Sequence, residues 1–295
     1  MTLVTIGLCV KNCEETVKDT MQSILDQDFP CMLMELIVVD DGCVDNTLSI
    51  INDALSEYNV KRKLFCNYGK GLSSARQLVV DNASGKYILW VDGDITMKKD
   101  YVRKLFEFME KTPLAGCSRG KWGKYLGKNL VATLENMKIL YFDFEGTQRT
   151  SRLLGTAGTI QRVDAIKMVG GFDKNISGAG EDVDLEAKIM DAGWELYICD
   201  TTFFHKEKTS WKGLWSQYFW WGYGAHYVFH GHKNIGRLWT MIPAVAFVIG
   251  AFHSVKAYQL TQRKVALLLP LQYTFKRVAW CLGFINAHFD NYEMQ

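Results

Sequence analysis

The chain has 295 residues, of which 48% are hydrophobic and 22% charged, a globular composition that excludes intrinsic disorder as its state. Its net charge of +2 hides an asymmetry: residues 1–205 carry 24 Lys/Arg against 29 acids, and residues 206–295 carry 10 against 3. An acidic front and a basic, aromatic tail imply two different tasks, neither of them nucleic-acid binding. The 8 cysteines (9, 13, 31, 43, 66, 117, 199 and 281) form no C-x-x-C pair, so a reducing compartment fits better than a disulfide scaffold. Met1–Ile6 lacks a basic n-region and runs straight into a strand pattern, so no signal peptide is expected.

Strand and helix signals alternate over the first hundred residues. Leu3–Val10 reads as an apolar strand. Asn12 is the expected cap of a helix with Glu15 three residues on, and Val17, Met21, Ile24 and Leu25 share one of its faces. Leu36–Val39 is a second buried strand that ends in Asp40-Asp41-Gly42. Leu48, Ile51, Leu55 and Tyr58 then recur at helical spacing, Lys61–Cys66 is a weaker strand, and Gly69–Gly71 opens a helix through Asn82. Tyr87–Val91 is a fourth strand, and Val102, Leu105, Phe106 and Met109 mark the helix after it. This alternation predicts an α/β fold of βαβ units, a Rossmann-like, mostly parallel sheet flanked by helices. Residues 116–150, with scattered glycines and lysines, read as irregular. Leu185, Ile189 and Ala192 mark a later helix that starts near Glu181, and Cys199–Phe204 is a strand followed by His205.

The tail departs from this pattern. Residues 238–255 are 18 residues without Lys, Arg, Asp or Glu, near the lower limit for a bilayer span. The apolar stretch Val265–Phe289 is interrupted by Lys276 and Arg277, which suits an interfacial or re-entrant helix better than a span. Trp211, Trp215, Trp220, Trp221 and neighbouring tyrosines among lysines resemble a headgroup-zone segment, and His226, His230 and His232 read as one interfacial helix face rather than a metal cluster. The expectation is a catalytic domain at 1–205 and a membrane-associated helical region at 206–295. That region would be peripheral or carry one hydrophobic hairpin or span, and the protein would sit on the cytoplasmic face of the cell membrane.

Chemistry concentrates where strands end. Tyr-Ile-Leu-Trp-Val-Asp-Gly-Asp (87–94) closes an apolar run with two carboxylates separated by one glycine, at the sheet edge where open α/β folds bind ligands. Hard oxygen ligands there suit Mg²⁺ or Mn²⁺ carrying a phosphate. A polar turn is the ordinary alternative for one such motif taken alone.

Six motifs in order strengthen the case. They are Val4–Asn12, Ile37–Thr47, Gly71-Leu-Ser-Ser-Ala-Arg76, Asp92-Gly-Asp94, Val169-Gly-Gly-Phe-Asp173 and Gly180-Glu-Asp-Val-Asp-Leu185. Together they resemble the inverting family 2 glycosyltransferases of the GT-A fold, in their membrane-associated subgroup. The resemblance implies donor contacts from Asp41 (nucleotide base), Arg76 (diphosphate and ribose), Asp92, Asp94, Gly158 and Thr159. It implies metal ligation by Asp94 with Asp92 and His205, and it implies Asp182 as general base with Glu181 beside it. Asp184 is the expected cap or support. The implied donor is a nucleotide sugar, UDP favoured over GDP, and the implied acceptor is lipid-linked or a cell-surface glycan.

Cys9 and Lys11 depart from the family's usual residues beside the nucleotide base, which puts its stacking in question, and Gln77 stands where the family usually has asparagine. A missing Gln-x-x-Arg-Trp motif favours addition of a single sugar. Two competing readings are a polyprenyl-phosphate glycosyl synthase, whose phosphate nucleophile needs little general base, and a nucleotide-binding membrane scaffold without activity.

Overall fold

A computed structural model of the chain describes residues 2–56, 60–123, 127, 129–137, 146–176, 179–232 and 238–292. Two compact units divide it: residues 1–123, 145–177 and 181–206 form the first, and residues 124–144, 178–180 and 207–295 the second. Among the described residues, 127 and 129–137 group with the C-terminal unit.

The first unit holds the strands β1 (Val4–Val10), β2 (Met34–Asp40), β3 (Lys61–Cys66), β4 (Tyr87–Asp92), β5 (Ile95–Met97), β6 (Ala115–Trp122), β7 (Gln148–Thr150), β8 (Thr159–Arg162) and β9 (Glu195–His205). Their order is β3-β2-β1-β4-β8-β6-β9-β5, with β7 beside β9. The fold is mixed α/β. The sheet is less parallel than its sequence pattern implies: β1–β2, β1–β4, β2–β3 and β6–β9 run parallel, and β4–β8, β6–β8, β5–β9 and β7–β9 run antiparallel. Short returning strands after β4 cause the difference, because only the first three crossovers are βαβ units.

Both sheet faces are covered, which is why β1, β2 and β4 read as unbroken apolar runs rather than alternations. Alternate residues separate cleanly. Ile6, Leu8, Leu36, Val38 and Leu89 pack with α1 (Val17–Leu25), α2 (Thr47–Ser56) and α4 (Tyr101–Lys111). Ile37, Val39, Ile88 and Trp90 pack with α3 (Leu72–Asn82), α6 (Val163–Met168) and α7 (Glu181–Asp191). The cap of α1 is Thr16, not Asn12. Asn12 has φ +50 and its Oδ1 accepts the Val44 amide at 2.9 Å, so its side chain ties two loops together. Tyr58 lies outside the described residues.

β6 corrects the irregular reading of 116–150. Its first six residues, Ala-Gly-Cys-Ser-Arg-Gly, are buried although they include an arginine and two glycines. Gly116 and Gly120 sit where a Cβ would strike Trp194 at 2.7 Å and Tyr101 at 2.5 Å, so glycine here admits neighbouring aromatics.

The second unit is helical: α5 (Leu130–Met137), α8 (Trp211–Gly231), α9 (Pro243–Thr261) and α10 (Leu269–Phe289). Among the described residues no helix is long and apolar enough to cross a membrane. Lys276, read above as an interfacial charge, is instead 5% exposed; its Nζ donates to Glu135 Oε1 at 2.7 Å, and Gln272 donates to the same oxygen at 2.8 Å. The rings of Tyr273 and Tyr218 lie 4.7 and 5.1 Å from the ammonium. His226 is likewise buried at 1% exposure, with Nδ1 at 2.7 Å from the Tyr292 carbonyl, so it is not part of an interfacial face.

Candidate active site

Two strands, β2 and β4, deliver acids on either side of β1. In register, Cys9 of β1 pairs with Asp92 of β4, and Val10 pairs with Asp40 of β2. Asp40-Asp41 and Asp92 therefore flank the carboxyl end of β1, the place where open α/β sheets bind ligands. Cys9 lies between them; burial pushes its thiol up to about 12, so it packs as a neutral residue.

Asp41 is 6% exposed and its Oδ1 accepts from Asn67 Nδ2 at 2.6 Å and from the Gly71 amide at 3.1 Å. Its Oδ2 faces Lys11 Nζ at 3.5 Å. The pattern of apolar residues carried no sign of Asn67. Its position one residue past β3, opposite the end of β2, is what brings it to Asp41.

The Asp-Gly-Asp turn is anchored through its backbone. Thr16 Oγ1 donates to the Gly93 carbonyl at 2.6 Å, and the Lys206 amide donates to the Asp94 carbonyl at 2.9 Å. Gly93 is required by close approach: an added Cβ would sit 2.5 Å from Cys13 Sγ. β5 follows directly and pairs with the end of β9, Ile95 opposite His205. This long-range pairing places His205 Nε2 3.4 Å from Asp94 Oδ2, with the Trp122 ring edge-on to the imidazole at 5.6 Å.

Asp92 turns the other way. Its Oδ1 accepts from Arg76 Nη2 at 3.2 Å, while Arg76 Nη1 pairs with Glu181 Oε1. Arg76 is 3% exposed and Glu181 2%, so the guanidinium is spent on two acids rather than presented openly to a diphosphate. Arg76 faces Glu181 and Asp92, with Asp182 adding negative charge, in a desolvated place. Burial, with Asp182 adding to it and Arg76 opposing, pushes Glu181 up to about 7. Burial and then Asp94 raise Asp92, again against the pull of Arg76. Arg76 itself is held above its ordinary value by Glu181 and Asp92, despite its burial.

Asp182 lies in the first turn of α7, half-buried, with Oδ1 accepting the Val183 amide at 2.8 Å. Asp184 is fully buried and paired with Lys188 at 2.7 Å, a support role. Gly158 and Thr159 are buried beneath the site. Gly158 donates to the Trp90 carbonyl at 3.0 Å and accepts from Tyr101 at 2.7 Å, and the Thr159 hydroxyl donates to the Gly155 carbonyl at 2.5 Å. They shape the segment before β8 from below; Leu153, Gly155 and Ala157 are its partly exposed residues.

The residues fit a divalent cation in one respect. A carboxylate and an imidazole, Asp94 and His205, converge within hydrogen-bonding range, and both are ligands for Mn²⁺. Among the described residues no three His, Cys, Asp or Glu groups come together in the geometry of a metal site.

Residues 5–163 match the glycosyl transferase family 2 domain, and residues 87–287 match glycosyl transferase family group 2. The chain belongs to glycosyl transferase family 2. It is 27% identical over 240 residues to a poly-beta-1,6-N-acetyl-D-glucosamine synthase of Staphylococcus epidermidis, a match covering 75% of this chain and 54% of that protein. It is 25% identical to the probable glycosyltransferase YdaM of Bacillus subtilis, over 76% of this chain and 56% of the other. The chain thus spans about half the length of these relatives.

In structure it resembles the mannosyltransferase PcManGT from Pyrobaculum calidifontis in complex with GDP-Man and Mn²⁺, with a TM-score of 0.70 at 17% identity over 97% of this chain and 87% of that one. It also resembles Staphylococcus aureus TarS 1–349 in complex with UDP, with a TM-score of 0.57 at 15% identity, covering 98% and 92%. The fold of this family 2 glycosyltransferase is accordingly GT-A-like.

Proposed function

We propose that this family 2 enzyme transfers one sugar from a nucleotide donor, UDP-linked in preference to GDP-linked, to a hydroxyl of a lipid-linked or cell-surface glycan acceptor, with inversion. The observation that carries this reading is the gathering of Asp41, Asp92, Asp94 and Asp182 near the carboxyl end of β1, from the ends of β2 and β4 and the first turn of α7. Asp41, with Lys11 and Asn67, forms the base-binding end. Asp94 and His205, with Asp92 beside them, would hold Mn²⁺ or Mg²⁺, which when bound neutralises the departing diphosphate. Asp182 takes the proton of the acceptor hydroxyl as the new bond forms, a single displacement that inverts the anomeric carbon. Arg76 and Glu181 act on Asp92 by fixing its orientation.

The second unit would bind the cytoplasmic membrane face. Supporting this, Phe252 is 74% exposed, with Val248, Val255 and Leu260 also exposed on α9, and Lys256, Arg263 and Lys264 are exposed nearby. Apolar side chains rimmed by bases suit an anionic lipid surface.

Calorimetric titration with UDP and GDP, each with Mn²⁺ and with EDTA, tests the donor site. Metal-dependent binding of UDP, lost in Asp94→Ala, is expected; no binding of either nucleotide would refute the reading. Asp182→Asn is expected to retain UDP affinity and lose transfer. Full transfer by that variant would point to a phosphate acceptor, as in a polyprenyl-phosphate glycosyl synthase.

A further inference from the structure

Glu186 lies one turn after Asp182 on α7, on the same helix face. It is fully buried, and its Oε2 accepts the amides of Leu154 and Gly155 at 2.6 and 3.0 Å. Arg119, reaching from β6 and 9% exposed, donates to the Leu154 carbonyl, and Thr159 takes the Gly155 carbonyl. All four backbone polar groups of Leu154-Gly155 are thus held by buried side chains. Gly155 has φ +71, and an added Cβ would lie 3.1 Å from Asp182 Oδ2. The backbone that Glu186 grips is therefore the wall against which the Asp182 carboxylate rests.

Burial, followed by the charge of Asp182, raises Glu186 to about 7 against the pull of the two amides.

We propose that Glu186 is a positioning residue for sugar transfer: it holds Leu154 and Gly155 against Asp182, so that an incoming hydroxyl meets the carboxylate in line. Arg119 is its counterpart on the carbonyl side. The inference rests on the reading of Asp182 as general base. Misplacing a catalytic group by about 1 Å costs on the order of 100-fold in rate, so the effect belongs in kcat and not in donor KM.

The test uses the full chain with Mn²⁺ and a panel of UDP-GlcNAc, UDP-glucose and GDP-mannose, following donor hydrolysis with water as acceptor. Hydrogen exchange at Leu154 and Gly155 is read in parallel. Glu186→Ala should lower kcat about 10- to 100-fold with donor KM within about twofold, and should release both amides to exchange. Glu186→Gln keeps an oxygen for both amides and should restore protection and most of kcat. Glu186→Asp, which keeps the charge but draws the carboxylate back from both amides, should likewise lower kcat and release the amides; it serves if Glu186→Ala does not fold.

Unchanged kcat in Glu186→Ala, or equal losses in the Ala and Gln variants, would overturn the role of Glu186 alone. Wild-type protein that neither binds UDP or GDP nor hydrolyses any donor would overturn the transferase reading and this inference with it.

Discussion

Replacing Glu181 with glutamine tests whether the buried acid cluster is charged as its geometry dictates. In the folded protein the ionisation of Glu181 moves from an ordinary 4.5 to about 7, because burial and Asp182 outweigh Arg76. At 1.36 kcal/mol for each pH unit, that displacement corresponds to about 3 kcal/mol. A raised acid binds its proton more tightly when folded. Its contribution is therefore fully present below about pH 4.5 and is lost as pH rises to about 7. Wild-type stability should fall across this window, and Glu181→Gln, which has no proton to lose, should be spared the fall.

For a unit of this size, about 1 kcal/mol moves Tm by roughly 2–4 °C, so the variant's Tm relative to wild type should rise by about 6–12 °C between about pH 4 and pH 8. Thermal unfolding followed by circular dichroism at closely spaced pH values measures this directly. A difference that stays flat across the window would refute the excess-charge argument. A difference that shrinks would mean that the Arg76 ion pair outweighs desolvation.

Other expectations follow from single contacts. Gly93→Ala drives a methyl into Cys13 Sγ, which a Cβ would approach to 2.5 Å, and should weaken Mn²⁺-dependent UDP binding at least about tenfold; Cys13→Gly in the same chain should recover part of it, measured by calorimetry. Lys276→Ala removes the ammonium 2.7 Å from the carboxylate of Glu135, which is 1% exposed, and should destabilise the second unit by about 3–5 kcal/mol in urea unfolding. The apolar pair Lys276→Met with Glu135→Leu should be far milder, because neither charge is left buried alone. Phe252→Glu should reduce co-sedimentation with vesicles of phosphatidylserine, and the wild-type signal should fall with added salt. Equal sedimentation of the two proteins would argue against α9 as the lipid-facing element.

Much of the first unit was legible in the sequence because burial on both sheet faces leaves continuous apolar runs, and each run ends where its strand does. Leu36–Val39 and Tyr87–Val91 lie inside β2 and β4, and the acids that follow them mark the ligand edge. β6 was not legible, because its core positions are held by Gly116, Ser118, Arg119 and Gly120, whose burial depends on neighbours far along the chain. The sequence marked Arg76 only as a charge expected near the donor; its pairing with Glu181 required α3 and α7 to lie on the same face of the sheet.

By itself, then, the order of residues determined the alternation of strands and helices, the location of the acidic motifs at strand ends, and the family. These depend on local periodicity and on short motifs. Tertiary structure alone decided which charges meet: His205 with Asp94 through the β5–β9 pairing, Arg76 with Glu181 and Asp92, Lys276 with Glu135, and Glu186 with the amides of Leu154 and Gly155. A charge is neutralised by whatever the fold brings within a few ångströms, and that partner is set by strand order and helix packing rather than by its neighbours in the chain.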